Sequence, residues 1–297
     1  MFLRSALVAL LAVLLVWLLV PVTLFSGDPA PIVHGQHVLV TGASQGIGKA
    51  LVFEYAKHGA AEIVIASRSD AKLQAVKSEV NTLYPNTTIH IILADLSTEQ
   101  ASRDLVQAAL AAMDNRLDVL LLNHIAPSPF GHFLQYDKDH SARLSSLFHT
   151  NTFSYIWLAT AAAGSAARSS SNLQIGIVNS LASYVGTPKT AAYTASKHAL
   201  RGFFNAFRVE LAMLGVDNVG ITQCIIGPID TEGAKDAQSQ MSPSLKWYSP
   251  TDTADAILRG VAFRMRDIYF PHHVVFPTLQ LYYFWPTGIE AIIQQTM

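Results

Sequence analysis

Residues 37–50 read "HVLVTGASQGIGKA". The first five, His37 to Thr41, are β-branched or apolar apart from the opening histidine, and they read as a strand. From Gly46 a helix is predicted, running on to His58. Between the two lie Gly42, Gly46 and Gly48, spaced G-x3-G-x-G. Glycine at a strand–turn–helix junction lets backbone approach a pyrophosphate, which then rests on the helix N-terminus. The spacing differs from the commoner G-x-G-x-x-G, so the surrounding strand and helix carry the dinucleotide reading.

The same alternation continues along the chain. Further strands are predicted at Glu62–Ser67, Thr88–Ala94, Leu117–Asn123, Leu173–Ser180 and Val219–Ile225. Helices are predicted at Gly46–His58, Asp70–Leu83, Glu99–Met113, 145–168 and 191–214. Strands that are apolar on both faces and separated by helices imply α/β architecture, a doubly wound parallel sheet of Rossmann type, in a single domain over 31–297. Residues 227–250, broken by Pro228, Pro243 and Pro250, read as a loop or lid. Beyond His273 the tail becomes aromatic and apolar.

Hydrophobic residues make up 51% of the 297 and charged ones 14%, enough for a large core. Twenty basic and 21 acidic side chains give a net charge of -1. With no basic stripe, no nucleic-acid partner is expected. Cys224 is the only cysteine, which rules out an intrachain disulfide, and the eleven histidines form no HExxH. No metal is expected. Ser5 to Phe25 is uncharged for 21 residues, about 31 Å as a helix. Residues 1–30 are accordingly read as a transmembrane anchor and linker. Arg4 precedes the apolar run and Asp28 follows it, so the N-terminus stays cytosolic and the body is placed in the endoplasmic reticulum lumen. The sequon Asn86-Thr87-Thr88 is compatible with that side.

Chemistry concentrates later in the chain. Tyr193 and Lys197 lie four residues apart on one helix face. Lys197, with a positively charged nicotinamide in the oxidised complex, is expected to favour the phenolate and so make Tyr193 an acid/base at neutral pH. Ser180 ends a strand 13 residues earlier. In a doubly wound sheet it meets Tyr193 at the carboxyl-end crevice. The second strand ends in Ser67-Arg68-Ser69 with no carboxylate before Asp70, which favours NADP(H) over NAD(H).

TGxxxGIG at Thr41 to Gly48, strand-terminal Asn123, Asn151, Ser180 and Tyr193-x-x-x-Lys197 occur in the order of the short-chain dehydrogenase/reductase family, which the chain resembles over about residues 35–231. "LLNHIAP" (121–127), "AAYTASKHALRGFF" and "GPIDTE" look like the 11β-hydroxysteroid dehydrogenase branch. Gln45 departs from that branch, which has a base there to help hold the NADP phosphate. The resemblance implies a membrane-anchored, NADP(H)-dependent enzyme interconverting a lipophilic alcohol and its ketone, and a homodimer. Ser180 would hydrogen-bond the substrate oxygen, and Asn151 would hold a water linking Lys197 to solvent. The cofactor would contact Gly42, Ser44, Gln45, Gly46, Ile47 and Gly48. It would also meet Ser67 and Arg68, then Asp95 and Leu96, Asn123 and His124, and finally Tyr193, Lys197, Ile229 and Thr231. Three alternatives stay open: a sugar-nucleotide epimerase, a non-catalytic NADP-binding or lipid-droplet scaffold, and a soluble secreted reductase whose hydrophobic leader is removed.

Overall fold

The computed structural model describes residues 27–296 except 127, 129, 136–139, 242 and 244. The expected membrane anchor at 5–25 lies outside the described residues. Among the described residues no helix is long and apolar enough to cross a membrane.

Seven parallel strands form one sheet in the order β3-β2-β1-β4-β5-β6-β7. They are β1 (His37–Thr41), β2 (Glu62–Ser67), β3 (Thr88–Leu93), β4 (Val119–Leu122), β5 (Leu173–Ser180), β6 (Val219–Ile226) and β7 (Asp267–Phe270). The helices that cover the sheet are α1 (Gly46–Lys57), α2 (Asp70–Leu83), α3 (Glu99–Ala112), α4 (His140–Phe148), α5 (Ser154–Ser169), α6 (Ala191–Met213) and α7 (Pro250–Ala262). The chain closes with α8 (His272–Phe284) and α9 (Pro286–Thr296).

Strand side chains alternate between faces, and the two cores follow that period. Val38, Val40 and Leu121 point to one side, where they meet Leu51 and Tyr55 of α1 and Ile257, Leu258 and Val261 of α7. Leu39, Leu120 and Leu122 point to the other, against Leu105 of α3, Leu158 of α5 and Phe204 of α6. Each such side chain is fully or almost fully buried. Full burial contributes about 1.5–3 kcal/mol per side chain, which is why both faces of the central strands are apolar.

Three features differ from the sequence expectations. The helix expected at 145–168 is divided: a wide π turn, His149–Phe153, separates α4 from α5. It buries Asn151 and Thr152, and the Thr152 hydroxyl donates to the Ser196 carbonyl of α6 at 3.2 Å. One extra residue in a helical turn turns a side chain to an otherwise unreachable direction. Pro250, taken as a loop breaker, is the first residue of α7, and Ser249 caps the Asp252 N–H at 3.0 Å. Third, β7 pairs with β6 as a four-residue edge strand opening on a charged aspartate, too short to show a pattern of its own.

The aromatic tail divides its residues. Val275 and Leu279 of α8 are buried with Val185 and Ile225, and Phe276 is buried with its ring 5.2 Å from that of Tyr269, whereas Leu281, Tyr283, Phe284 and Trp285 are exposed.

Candidate active site

The strand order reverses between β1 and β4, so the loops leaving these two strands diverge and open a crevice at their carboxyl ends. Thr41, fully buried at the end of β1, holds the two loops together. Its hydroxyl donates to the Leu121 carbonyl at 3.0 Å and accepts from the Asn123 N–H at 3.0 Å. His124 Nδ1 lies 2.8 Å from the same oxygen, and Nε2 lies 2.7 Å from Ser154 Oγ. Burial first, then the charge of Lys197, pushes the imidazole pKa down to about 3, so His124 is a neutral hydrogen-bonding bracket. The Asn123 amide donates to the Thr41 and Gly42 carbonyls, both at 3.3 Å. The side chains of Asn123 and His124 therefore shape the glycine loop from beneath.

Glycine is required here for two reasons. Gly42 has φ +66°, and a Cβ on it would sit 2.7 Å from the His124 Cα. A Cβ on Gly48 would overlap the Gly42 carbonyl and the Asn123 amide. The loop and the first turn of α1 can approach only without side chains.

Gly46, with φ +58°, faces Thr231 across the crevice: a Cβ there would lie 3.2 Å from the threonine methyl. Gln45 provides no side-chain cap for α1, so the first-turn N–H groups are left for another acceptor. This narrow, uncapped helix start between Ser44–Ile47 and Ile229–Thr231 fits a pyrophosphate. At the end of β2 Arg68 is exposed and has no carboxylate partner among the described residues, and the Ser67 hydroxyl accepts the Ser69 N–H at 3.3 Å. Asp95, past β3, accepts the Ser97 N–H at 3.2 Å, whereas the side chain of Leu96 is part of the core.

Across the crevice, β5 delivers Ser180 and the first turns of α6 deliver Tyr193 and Lys197. The Ser180 hydroxyl is hydrogen-bonded to the Tyr193 side chain. It also accepts the Ala182 N–H at 3.1 Å, which fixes its direction. Lys197 is 3% exposed, donates to the Val178 carbonyl at 3.0 Å, and stands 5.8 Å from the Tyr193 ring centroid and 5.3 Å from that of Tyr155. Asn151 Oδ1 accepts the Ala126 N–H at 2.7 Å, while its amide nitrogen is buried with no protein partner.

Burial controls the proton affinities. The Tyr193 phenol is raised above its ordinary value by desolvation, opposed only by the Ser180 hydrogen bond. The Lys197 ammonium is lowered to about 7, again by burial. The expectation that Lys197, together with a positively charged nicotinamide, favours the phenolate concerns the oxidised complex; the lysine by itself does not set the proton affinity of Tyr193. At 5.8 Å from the ring, and itself easily deprotonated, Lys197 does not outweigh desolvation.

Two residues here escaped the sequence reading. Tyr155 donates to the His124 carbonyl at 2.7 Å and lays its ring beside Lys197. Its only signal was its place four residues after Asn151. Lys72, in the first turn of α2, donates to the Gln45 side-chain oxygen. Nothing in the local sequence links positions 72 and 45.

The family model for short chain dehydrogenases matches residues 36–242. A hydroxysteroid 11-beta-dehydrogenase 1-like protein of Gallus gallus is 38% identical over 237 residues, 80% of this chain and 79% of that one. One of Xenopus tropicalis is 37% identical over 249 residues, 84% and 83% of the two chains. Among solved structures, a 3-oxoacyl (acyl-carrier-protein) reductase from Agrobacterium tumefaciens C58 with NADP bound superposes with TM-score 0.68 at 21% identity, covering 82% of this chain and 96% of that one. An alcohol dehydrogenase from Thermococcus sibiricus complexed with 5-hydroxy-NADP gives TM-score 0.66 at 18% identity, covering 79% and 95%. These two solved structures carry the fold.

Proposed function

This chain belongs to the short-chain dehydrogenase family of nicotinamide-dependent oxidoreductases, and from that premise we propose that it is an NADP(H)-dependent enzyme interconverting a lipophilic alcohol and its ketone. The observation that carries the reading is the convergence of Ser180, Tyr193 and Lys197: a serine–phenol hydrogen bond beside a buried amine at the carboxyl end of the sheet.

In the reductive direction a carbonyl oxygen seated between Ser180 and Tyr193 gains charge as its carbon is reduced. The Ser180 hydroxyl stabilises that charge and the neutral Tyr193 phenol delivers the proton. A phenol raised by burial is ready for this acid role. When bound, the nicotinamide supplies the hydride in this direction and accepts it in the other. Lys197, titrating near neutrality, exchanges the proton with solvent by way of the buried Asn151 amide, whose nitrogen has no protein partner. Arg68 with Ser67 holds the ribose 2'-phosphate, and the uncapped start of α1 holds the pyrophosphate.

Residues 5–25 anchor the protein in the endoplasmic reticulum membrane with its body in the lumen. Exposed Asn86, in the turn before β3, supports a lumenal body, because a glycosyltransferase can reach it. The exposed Leu281, Tyr283, Phe284 and Trp285 rest on the same membrane and pass lipophilic substrate from it. Val209, Met213 and Leu214, exposed at the end of α6, support a homodimer.

The test is a reductase screen of the full-length protein in detergent with NADPH against steroids, retinal and aliphatic ketones, run beside Tyr193→Phe. Turnover of a lipophilic ketone that collapses in the variant is expected. Near-wild-type turnover by Tyr193→Phe on any accepted substrate refutes the acid/base assignment.

A further inference from the structure

The rim of the crevice at β2 carries a cation that no motif marks. Lys72 reaches back from the first turn of α2 and its ammonium donates to the Gln45 side chain, spanning the segment after β2 and the glycine loop. A dinucleotide's adenosine ribose lies between these two segments. Charge pairing separates this lysine from its neighbours. Lys49 of α1 is neutralised by Glu79 at 2.8 Å, whereas the partner of Lys72 is an uncharged amide. Asp70, the nearest carboxylate in sequence, accepts instead from the Gln74 amide at 3.2 Å. Lys72 and Arg68 are thus both exposed and without a carboxylate partner among the described residues, flanking one edge of the crevice.

We propose that Lys72, held over the glycine loop by Gln45, is with Arg68 a specificity-determining residue for a nucleotide ribose 2'-phosphate. Gln45 then acts as the positioning residue that holds the ammonium over the glycine loop. The inference deepens the NADP(H) reading and rests on it.

Binding can be measured without turnover. The full-length protein is titrated with NADPH and NADH by fluorescence and with adenosine 2',5'-bisphosphate by calorimetry. Lys72→Gln should weaken NADPH and the bisphosphate about tenfold, the scale of one exposed charge-assisted hydrogen bond. NADH affinity should be unchanged, and that also reports an intact fold. The double variant Lys72→Gln/Gln45→Lys should recover NADPH binding, because the charge returns to the loop. Unchanged NADPH binding in Lys72→Gln, or an equal loss for both cofactors, overturns the proposal. If Arg68→Ala discriminates between the cofactors while Lys72→Gln does not, only the role of Lys72 fails. If the wild-type protein binds NADH as tightly as NADPH and ignores the bisphosphate, the NADP(H) reading fails and this one with it.

Discussion

Replacing Lys197 by methionine should make the protein more stable at neutral pH while abolishing turnover. The amine is 3% exposed, and burial lowers its pKa from 10.5 to about 7. At about 1.4 kcal/mol per pH unit, holding this group folded at neutral pH costs roughly 4–5 kcal/mol relative to a titration-free side chain. Methionine of similar length removes that cost. It also strands the Val178 carbonyl, at about 1–3 kcal/mol, so the net gain is roughly 2 kcal/mol. The pH dependence has a definite sign. Between about 7 and 10.5 the unfolded chain holds the lysine proton and the folded protein has released it, so wild-type stability rises with pH across that window and is lost as pH falls towards 7. The methionine variant lacks this slope. Its advantage should shrink by about 1.4 kcal/mol per pH unit and reverse by about pH 9. Tyr193 is common to both proteins, and titrations kept below its ordinary range leave it out of the difference. Urea unfolding of both proteins at several pH values measures the difference directly. A difference that stays constant with pH, or a variant less stable throughout the window, refutes the claim that burial controls Lys197.

Arg68→Ala should raise the apparent Michaelis constant for NADPH roughly ten- to hundredfold with little effect on NADH, and steady-state kinetics with both cofactors checks it. Gly48→Ala forces a methyl into the Gly42 carbonyl and the Asn123 amide. Overpacking of this kind costs about 1–3 kcal/mol, so both melting temperature and cofactor affinity should fall, as thermal unfolding with and without NADPH will show. Phe284→Ser with Trp285→Ser removes two exposed aromatic side chains from the tail. In reconstituted liposomes the Michaelis constant should rise for membrane-partitioned ketones alone, and an equal rise for water-soluble ketones would exclude the membrane route.

Local patterning was enough to read most of the sheet. Runs such as Val38–Val40 and Ile63–Ile65 are apolar on both faces because helices cover both, so strand identity and parallel pairing are written into neighbouring residues. The glycine spacing is equally local, since each position is set by a turn and a close approach within one strand–loop–helix unit. Edge elements were harder to see: β7 has four residues and one paired neighbour, and α7 was hidden behind a proline that starts it. Tertiary structure alone decided how the site works. Two strands, the π turn and α5 bring Thr41, Asn123, His124, Asn151 and Tyr155 together, from positions up to 114 residues apart, into one buried hydrogen-bonded frame. Proton affinity depends on that frame's exclusion of water, which adjacent letters cannot show. The motif Tyr193-x-x-x-Lys197 therefore marked the candidate acid/base pair, but only the packed interior showed that desolvation governs both groups. The same holds at the rim: Lys72 and Gln45 meet because α2 packs beside α1, a contact made by the fold and written in no stretch of sequence.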